Sequence, residues 1–294
     1  MRNKIKNAFL WLKRKTLIRT RIRLFFENIQ IEKELKERNA QYKNIHQGER
    51  CFIIGTGPSI KDQDLSLLKN EWTFAVNSLY LHQQYGMINP KFYSLICSEI
   101  FKEDIEAKKY LDNISGAVTG GTLMILPFQY KDVVEKRELF SKNKKLYIAQ
   151  NSRLDFRENG RFNIDIEKQI PSISNVVHSA IIAANYMGFK TICLLGVEHD
   201  WLVKKSHIEG KTQYYQEHHF HEGDKAPKIP VLDVIMPYEK ICEGVGRAFK
   251  IYRLLKQKMP DVKIFNLTPG SYLDVFPFQK YEDVMGDLND KKHF

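Results

Sequence analysis

Short apolar runs of five to seven residues alternate with longer polar segments over residues 48–294. Runs of this length, bounded by polar or glycine residues, favour buried strands. Most of the intervening segments are long enough for the crossover helix that parallel strands require. We therefore predict an α/β fold, in which residues 48–294 form one domain around a single doubly wound, Rossmann-like and mostly parallel sheet. The predicted strands are Cys51–Gly55, Thr73–Asn77, Phe92–Cys97, Leu123–Phe128, Leu146–Gln150, Thr191–Val197 and Val262–Leu267.

Two longer segments predict helices. Val176–Met187 is apolar almost throughout, which indicates a buried helix leading into the strand at Thr191–Val197. Lys240–Met259 predicts a second helix, ended by Pro260 before the last strand. Residues 199–237 follow neither pattern, and we predict an irregular, lid-like insertion there.

A basic arm, residues 1–47, precedes the domain. Met1–Arg23 contains nine Lys and Arg residues and no acidic residue. Apolar side chains recur there at helical spacing, and no Gly or Pro occurs before Gly48, so the arm predicts an amphipathic helix. The apolar residues concerned are Ile5, Phe9, Leu12, Ile18, Ile22, Phe25, Phe26 and Ile29.

This arm favours peripheral binding to the anionic inner face of the cytoplasmic membrane. No apolar run reaches the roughly 18 residues that a membrane-spanning helix needs. The alternative is a helix that packs on the domain, or on the partner in a homo-oligomer, with its charges solvated.

The excess charge of the chain lies mostly in the arm. The 46 Lys and Arg residues outnumber 35 acidic residues, a net charge of +11. Residues 1–50 hold fourteen basic and five acidic residues, so nine of the eleven excess charges belong to them. The nearly neutral body does not indicate a nucleic-acid-binding surface. The four cysteines form no CxxC pair, which argues against a disulfide framework and fits the cytoplasm.

A glycine-rich turn follows the first predicted strand, in the sequence Gly55-Thr56-Gly57-Pro58-Ser59. Glycines let a backbone approach a ligand closely, and the amides that follow can face a phosphate or sugar oxygen. The turn is neither a complete GxGxxG fingerprint nor a P-loop. Ligands of open α/β sheets bind at the carboxyl ends of the strands, so we expect this turn and Asn77, at the end of the second strand, to contact one. A purely structural tight turn is the alternative.

Three segments carry a resemblance to a known family, the bacterial lipooligosaccharide sialyltransferases. The first is the glycine turn with Asp64-Leu65 and Asn77, the second is Ser174–Val197 with Glu198, and the third is Lys263–Ser271. The same features resemble the wider 6-hydroxymethylpterin diphosphokinase-like superfamily, which includes the motility accessory factors. The chain departs from the sialyltransferase pattern where Thr56, Asn175-Val176 and Glu198 replace Asn, Ser-Gly and Asp.

The resemblance implies a glycosyltransferase that moves a nonulosonic acid or related sugar from a CMP-type donor to a cell-surface glycan or glycolipid. The CMP-sugar would be a co-substrate, and no other cofactor and no metal would be needed. The donor-binding residues that it implies are Gly55, Thr56, Gly57, Pro58, Ser59, Asn77, Ser174, Asn175, Glu198, His199, Thr268, Pro269, Gly270 and Ser271.

Five of the nine histidines fall between residues 199 and 221. A metal site, a solvated loop and a substrate lid that carries a general base are the three interpretations. A histidine suits the deprotonation of a sugar hydroxyl because its pKa lies near neutrality. In the family that this chain resembles, the base belongs to a His-Tyr dipeptide, which His219-Phe220 matches best, with His218 and His221 as rivals. Tyr214 and Tyr215 would then assist the leaving phosphate.

Three further interpretations remain open. Asp62-Gln63-Asp64 has the DxD pattern of metal-dependent glycosyltransferases, but its place at a helix start favours capping. The superfamily name suggests ATP-dependent diphosphate transfer to a pterin alcohol. A non-catalytic subunit that binds nucleotide or glycan in a polysaccharide assembly complex is the third.

Overall fold

Twelve strands occur in the part of the chain that the structure, a computed structural model, describes: residues 22–203, 206–209, 212–215, 219–221, 229–230 and 238–291. In chain order they are β1 (Arg50–Ile54), β2 (Trp72–Val76), β3 (Phe92–Ser94), β4 (Leu123–Pro127), β5 (Lys145–Ile148), β6 (Gln150–Asn151), β7 (Ile170–Pro171), β8 (Thr191–Leu195), β9 (Ser206–Glu209), β10 (Thr212–Tyr215), β11 (Ile229–Pro230) and β12 (Lys263–Asn266).

Seven α-helices accompany these strands in the described ranges. They are α1 (22–39), α2 (Tyr85–Ile88), α3 (Ile105–Ala117), α4 (Lys131–Lys136), α5 (Val176–Met187), α6 (Tyr238–Lys258) and α7 (Tyr281–Lys291). Short 3₁₀ helices lie at Ala40–Tyr42, Pro58–Lys61, Leu65–Leu68, Asn77–Leu81, Glu99–Phe101 and Phe128–Tyr130.

The central sheet has seven strands, in the order β12-β8-β1-β2-β3-β4-β5, and every pairing in it is parallel. All seven predicted strands occur in it, so the predicted doubly wound α/β sheet is confirmed. The predicted buried helix coincides with α5, and the predicted helix before Pro260 with α6. The crossover from β1 to β2 holds only 3₁₀ turns, because Pro58 and the short connection leave little room for an α-helix.

Alternate side chains of the strands feed two separate cores. In β1, for example, Cys51 and Ile53 pack on one face of the sheet, and Phe52 and Ile54 pack on the other. Helices α5 and α6 cover the first face, and α1, α2, α3, α4 and α7 cover the second. This alternation has the period of two that a sheet with both faces covered requires.

The direction of winding reverses at β1. Strands β1 to β5 lie side by side in chain order, after which α5 crosses back over β4, β3, β2 and β1 to place β8 on the other side of β1. The loops after β1 and β8 therefore leave the same edge of the sheet and diverge. A crevice at such a reversal is where open α/β sheets bind their ligands.

The described part of the arm is attached to the domain at its carboxyl end. Leu35 is buried in the second core, and the side-chain amide of Asn39 donates to the carbonyl oxygens of Tyr147 and Ile166, both at 2.7 Å. Farther along α1, Ile22, Phe25, Phe26 and Ile29 share one helix face and are 49–64% exposed. Across the described ranges, no helix has the length and apolar character needed to cross a membrane.

The described parts of residues 199–237 are more regular than predicted. Strands β9, β10 and β11 form a small antiparallel sheet in the order β11-β10-β9. Residues 219–221, between β10 and β11 in the chain, lie at the carboxyl edge of the central sheet. There the amide of Phe220 donates to the carbonyl oxygen of Thr56 at 3.0 Å. Phe220 is buried in the second core.

The loops after β1 and β8 touch backbone to backbone. The Gly55 amide donates to the carbonyl oxygen of Leu195 at 2.7 Å, and the Gly57 amide donates to that of Gly196 at 3.0 Å. A methyl group at Gly55 would lie 2.2 Å from the Gly196 carbonyl oxygen, and Gly196 itself has φ +62°. Only glycine allows this approach at Gly55, so the structural interpretation of the turn holds for this residue.

We expect Gly55→Ala to lower the free energy of unfolding by about 1–3 kcal/mol, because the new methyl group meets rigid backbone. Gly244→Ala is the matched control, since Gly244 lies in α6 with open space around it. That change should raise the free energy by about 0.5–1 kcal/mol through helix propensity. Urea unfolding of both variants measures the difference, and equal stabilities would contradict this description of the contact.

Candidate active site

A cavity of about 720 Å³ opens at the carboxyl edge of the sheet, where the winding reverses. Its walls come from the turn after β1, the end of β2, the start of α5, the loop after β8 and the returning segment of the insertion. Ten of the predicted site residues line it, namely Gly55, Thr56, Gly57, Pro58, Asn77, Ser174, Asn175, Glu198, His199 and His219.

The glycine turn uses its amides within the protein. In addition to the bonds from Gly55 and Gly57, the Ser59 amide donates to Glu198 Oε1 at 2.8 Å. Pro58 has no amide hydrogen to offer. The expectation that the amides of this turn face a ligand phosphate is therefore corrected for Gly55, Gly57 and Ser59, since the loop after β8 accepts their hydrogen bonds.

Glu198 places a buried carboxylate in the cavity wall. Only 5% of the residue is exposed, and Oε2 has no hydrogen-bond partner among the described residues, while Oε1 accepts from Ser59. A methyl group at Gly57 would lie 1.5 Å from this Oε2, so glycine there is what admits the carboxylate. A buried acceptor without a partner is costly unless a ligand supplies a donor, such as a hydroxyl or amino group.

The amino end of α5 offers hydrogen-bond donors, in contrast to the carboxylate of Glu198. Asn175 caps the helix, because its Oδ1 accepts from the His178 amide at 3.0 Å. Its Nδ2 is buried and has no hydrogen-bond partner in the part of the chain that the structure describes, and Val176 and Val177 line the cavity beside it. The amino terminus of a helix carries a partial positive charge, which favours an anion such as phosphate.

His199 is held by Tyr252, a residue that the sequence did not suggest. Its Nε2 lies 2.8 Å from the Tyr252 hydroxyl, and that hydroxyl donates to Asn175 Oδ1 at 3.2 Å. Burial raises the pKa of Tyr252, which keeps the hydroxyl protonated. Burial, with a smaller effect of nearby His199, lowers the pKa of His178, whose ring contacts Tyr252 at a centroid distance of 4.1 Å. Tyr252 lies in the middle of α6, and no motif marks it as part of a site.

Besides His199, the described part of the insertion places His219 in the cavity. His219 is partly buried, and its Nδ1 lies 3.2 Å from Thr56 Oγ1. The ring of His221 stacks on that of His219 at 5.5 Å but is exposed and does not line the cavity. His218 lies outside the described residues. Of the predicted phosphate contacts, Tyr214 and Tyr215, the structure describes the backbone alone, as part of β10.

The turn after β12 supports the cavity from behind. Thr268 Oγ1 accepts from the Val197 amide at 3.1 Å, and Ser271 Oγ donates to the Val197 carbonyl oxygen at 2.6 Å. The residues predicted here to bind the donor, Thr268, Pro269, Gly270 and Ser271, are absent from the cavity lining. The contacts of Thr268 and Ser271 fix the backbone before Glu198, and direct donor binding by the four residues stays a prediction.

The far end of the cavity is polar, a feature that the sequence analysis missed. It lies beyond the ends of β3, β4 and β5 and includes the acidic residue Glu99, with the uncharged residues Ser98, Gln129, Gln150, Ser152 and Ser172. The carboxyl-edge rule that selected Asn77 would also have selected Gln150, at the end of a predicted strand. Among the described lining residues there is no Lys or Arg, whereas Glu99, Glu198 and Asp200 are acidic.

The DxD sequence has a capping role. Asp64 Oδ1 accepts from the Ser66 amide at 3.1 Å and from Gln84 Nε2 at 2.8 Å, and the residue caps the 3₁₀ helix at Leu65–Leu68. Neither Asp62 nor Asp64 lines the cavity. Within the described ranges, no group of three or more His, Cys, Asp or Glu side chains is arranged to hold a metal ion.

Comparison with known proteins finds similarity among solved structures. No family model matches the sequence, and no curated protein matches it. The MAf glycosyltransferase of Magnetospirillum magneticum AMB-1 aligns with a TM-score of 0.48 at 15% identity, over 89% of this chain and 41% of that one. This chain thus spans about two fifths of the length of that protein.

The sialyltransferase CstII of Campylobacter jejuni is similar in two complexes. Its complex with the substrate analogue cytidine-5'-monophosphate aligns with a TM-score of 0.40 at 18% identity, over 79% of this chain and 85% of that one. Its complex with CMP-3FNeuAc gives the same TM-score and identity, over 78% and 84%.

The buried ring of His178 predicts a pH dependence of stability. Because its pKa in the folded protein lies below the ordinary 6.5, unfolding takes up a proton at lower pH. The stability is therefore complete above pH 6.5 and falls below it, by at most about 1.4 kcal/mol per pH unit. We expect His178→Gln to reduce the loss in urea unfolding free energy between about pH 7.5 and about pH 5.5. A loss in His178→Gln equal to that in the unaltered chain would contradict the assignment.

Proposed function

We propose that the protein is a glycosyltransferase that transfers a nonulosonic acid or related sugar from a CMP-type donor to a cell-surface glycan or glycolipid. The observation that carries the proposal is that one cavity is lined by a buried carboxylate, the amino terminus of a helix and an imidazole. Glu198, the start of α5 and His219 all line it. These are the three groups that nucleotide-sugar transfer requires, as donor-sugar or nucleoside contact, phosphate contact and base.

The polarity of the walls supports one orientation of the donor. Its phosphate lies at the amino end of α5, where Asn175 Nδ2 and the first-turn amides offer hydrogen bonds. The nucleoside hydroxyls lie toward Glu198 Oε2, because this buried oxygen needs a hydrogen-bond donor and its carboxylate repels a phosphate. The acceptor then occupies the polar end that contains Glu99, Gln129 and Gln150.

The reaction needs one proton transfer. As the bond between the anomeric carbon and the phosphate oxygen breaks, the acceptor hydroxyl oxygen forms the new bond to that carbon, and its proton passes to His219. CMP leaves with the electron pair of the broken bond. The contact with Thr56 orients the imidazole toward the cavity, and an imidazole is suited to accept the proton of a sugar hydroxyl.

Two alternatives fit the lining less well. ATP-dependent diphosphate transfer would bring a triphosphate next to Glu99, Glu198 and Asp200, with no Lys or Arg among the described lining residues. A phosphodiester such as CMP-sugar has one phosphate charge to compensate. A non-catalytic nucleotide- or glycan-binding subunit would give no role to the imidazole of His219 at the cavity.

We further propose that the arm binds the anionic cytoplasmic face of the membrane, where lipid-linked acceptors would be reached. The exposed face of Ile22, Phe25, Phe26 and Ile29 directs apolar area away from the domain. The nine basic residues of Met1–Arg23 complement anionic headgroups. A peripheral position at the inner face follows from this proposal.

The catalytic proposal is tested by measuring CMP release from CMP-sugars, with thermal-shift measurements for CMP, UDP, GDP and ATP in the presence and absence of Mg²⁺. We expect stabilisation by CMP without Mg²⁺ and release of CMP from the matching donor.

His219→Ala should lower kcat by about 10²–10⁴-fold with donor affinity retained, because the base is lost and the phosphate contacts are not. His221→Ala separates the two candidate bases, since a loss of kcat larger than that of His219→Ala would assign the base to His221. A response to ATP and Mg²⁺ alone would favour diphosphate transfer, and an inactive chain with full CMP binding would favour the subunit alternative.

The membrane proposal is tested by co-sedimentation with phosphatidylglycerol-containing vesicles and with pure phosphatidylcholine vesicles. We expect the Phe25→Ser/Phe26→Ser double variant to bind the anionic vesicles at least about tenfold more weakly, since two aromatic side chains no longer enter the interface. Ile105→Ser, at an exposed apolar residue of α3, is the control and should bind like the unaltered chain. Unchanged vesicle binding together with a change from oligomer to monomer in light scattering would show that the face covers a second copy instead.

A further inference from the structure

The two-stranded ribbon of β6 and β7 forms one wall of the polar end of the cavity. The two strands run parallel, with Asn151 opposite Pro171. Ser152 and Ser172 follow this pair directly, and Gln150 precedes it in β6. All three line the cavity, so this wall carries one amide and two hydroxyl side chains. Such groups exchange hydrogen bonds with the hydroxyl groups of a sugar.

The ribbon is held in place by hydrogen bonds to the end of the central sheet and to α1. The Ile170 amide donates to the carbonyl oxygen of Ala149 at 2.9 Å. Asn151 Nδ2 donates to Gln169 Oε1 at 3.0 Å, and Gln169 Nε2 donates to Asn28 Oδ1 of α1 at 2.9 Å. The wall is therefore built without any ligand, which lowers the entropy cost of ordering it on binding.

The orientation of the Gln150 side-chain amide is fixed by one contact. The backbone amide of Ile173 can only donate, so the Gln150 atom that lies 2.9 Å from its nitrogen is Oε1. Nε2 is then the donor that the side chain has left, and Gln150 makes no second side-chain hydrogen bond among the described residues. A ligand at this wall therefore meets an NH₂ group and has to supply an acceptor for it.

An apolar residue lies next to this donor. Ile173, whose amide binds Gln150, also lines the cavity, is partly buried and packs against the core on the α5 side of the sheet. An N-acyl group such as acetamido combines a carbonyl oxygen with a methyl group, and it therefore suits a donor that has an apolar neighbour. A hydroxyl group or a carboxylate has no methyl group to bury, so this pair of residues favours the acyl group.

We propose that Gln150 and Ile173 form the part of the acceptor site that selects an N-acylated sugar, in which Gln150 Nε2 donates to the acyl carbonyl oxygen and Ile173 contacts the acyl methyl group. Ser152 and Ser172 then bind ring hydroxyl groups of the same sugar. Gln150 is thus a specificity residue and takes no part in proton transfer. The inference rests on the proposed function, because it takes the ligand at the polar end to be the acceptor.

Pairs of sugars that carry either an acetamido or a hydroxyl group at one carbon test the proposal. They are the methyl β-glycosides of N-acetylglucosamine and glucose, and those of N-acetylgalactosamine and galactose. Each is titrated into the full-length chain, with and without CMP-3FNeuAc, and ligand-observed NMR gives the Kd. We expect the N-acetyl sugar of at least one pair to bind about tenfold more tightly than its counterpart, through one hydrogen bond and one buried methyl group.

Gln150→Glu should abolish this preference, because a carboxylate keeps the bond to the Ile173 amide and offers no donor to an acyl group. The matched control is Gln279→Glu, which makes the same change of charge at an exposed residue outside the cavity lining. That variant should keep the preference of the unaltered chain.

Binding of CMP to all three chains is measured as well, so that this inference and the proposed function fail separately. CMP binding without a preference for either N-acetyl sugar, or with a preference that Gln150→Glu keeps, would overturn this inference alone. A loss of CMP-3FNeuAc affinity in Gln150→Glu, with CMP affinity unchanged, would place the acyl group of the donor at this wall and overturn the assignment to the acceptor. If the unaltered chain binds neither nucleotide but prefers the N-acetyl sugars through Gln150, the proposed function fails and the wall is a glycan-binding site.

Discussion

The close contact between the loops after β1 and β8 is the constraint on which the rest of the structure depends. Gly55 lies against the backbone of Gly196, and Gly57 lies against the Glu198 carboxylate, at distances that no other residue would allow. The sheet is wound in opposite directions from β1, so these two loops would otherwise separate. Their contact keeps the crevice between the two halves narrow enough for one ligand to touch both.

Several properties of the cavity follow from this contact. The amides of the turn donate to the end of β8 and to the loop after it. Among the described residues, Asn175 Nδ2 at the start of α5 is a buried hydrogen-bond donor without a partner, and we propose the phosphate contact there. Glu198 is buried against Gly57, and its Oε2 has no hydrogen-bond partner among the described residues. A hydroxyl or amino group of a ligand would supply the missing hydrogen bond. The insertion closes the other side through the hydrogen bond between Phe220 and Thr56, which brings His219 to the same wall. The cavity thus has a hydrogen-bond acceptor on one side, a hydrogen-bond donor on another and an imidazole at its edge.

The sheet and half of the site followed from local sequence signals. A buried strand shows as a short apolar run that does not depend on the strands beside it, which is why all seven were predicted. Residues that directly follow a predicted strand, such as Asn77 and Glu198, lie at the carboxyl edge of a parallel sheet. Side-chain directions and contacts between layers are not local. Thr268 and Ser271 follow a strand as well, yet they turn behind the β8 loop, and Tyr252 reaches the site from the middle of a helix in another layer. The small sheet of β9–β11 was missed because its polar strands lack an apolar period.

The central claim is that one cavity binds a cytidine nucleotide with its phosphate at α5 and its nucleoside at Glu198. A crystal structure of the chain with CMP tests it most directly. The account predicts the phosphate within hydrogen-bonding distance of Asn175 and the first-turn amides of α5, and nucleoside hydroxyl groups at Glu198 Oε2. A phosphate bound at the Gly55–Ser59 turn with Glu198 uncontacted, or CMP bound outside this cavity, would contradict it.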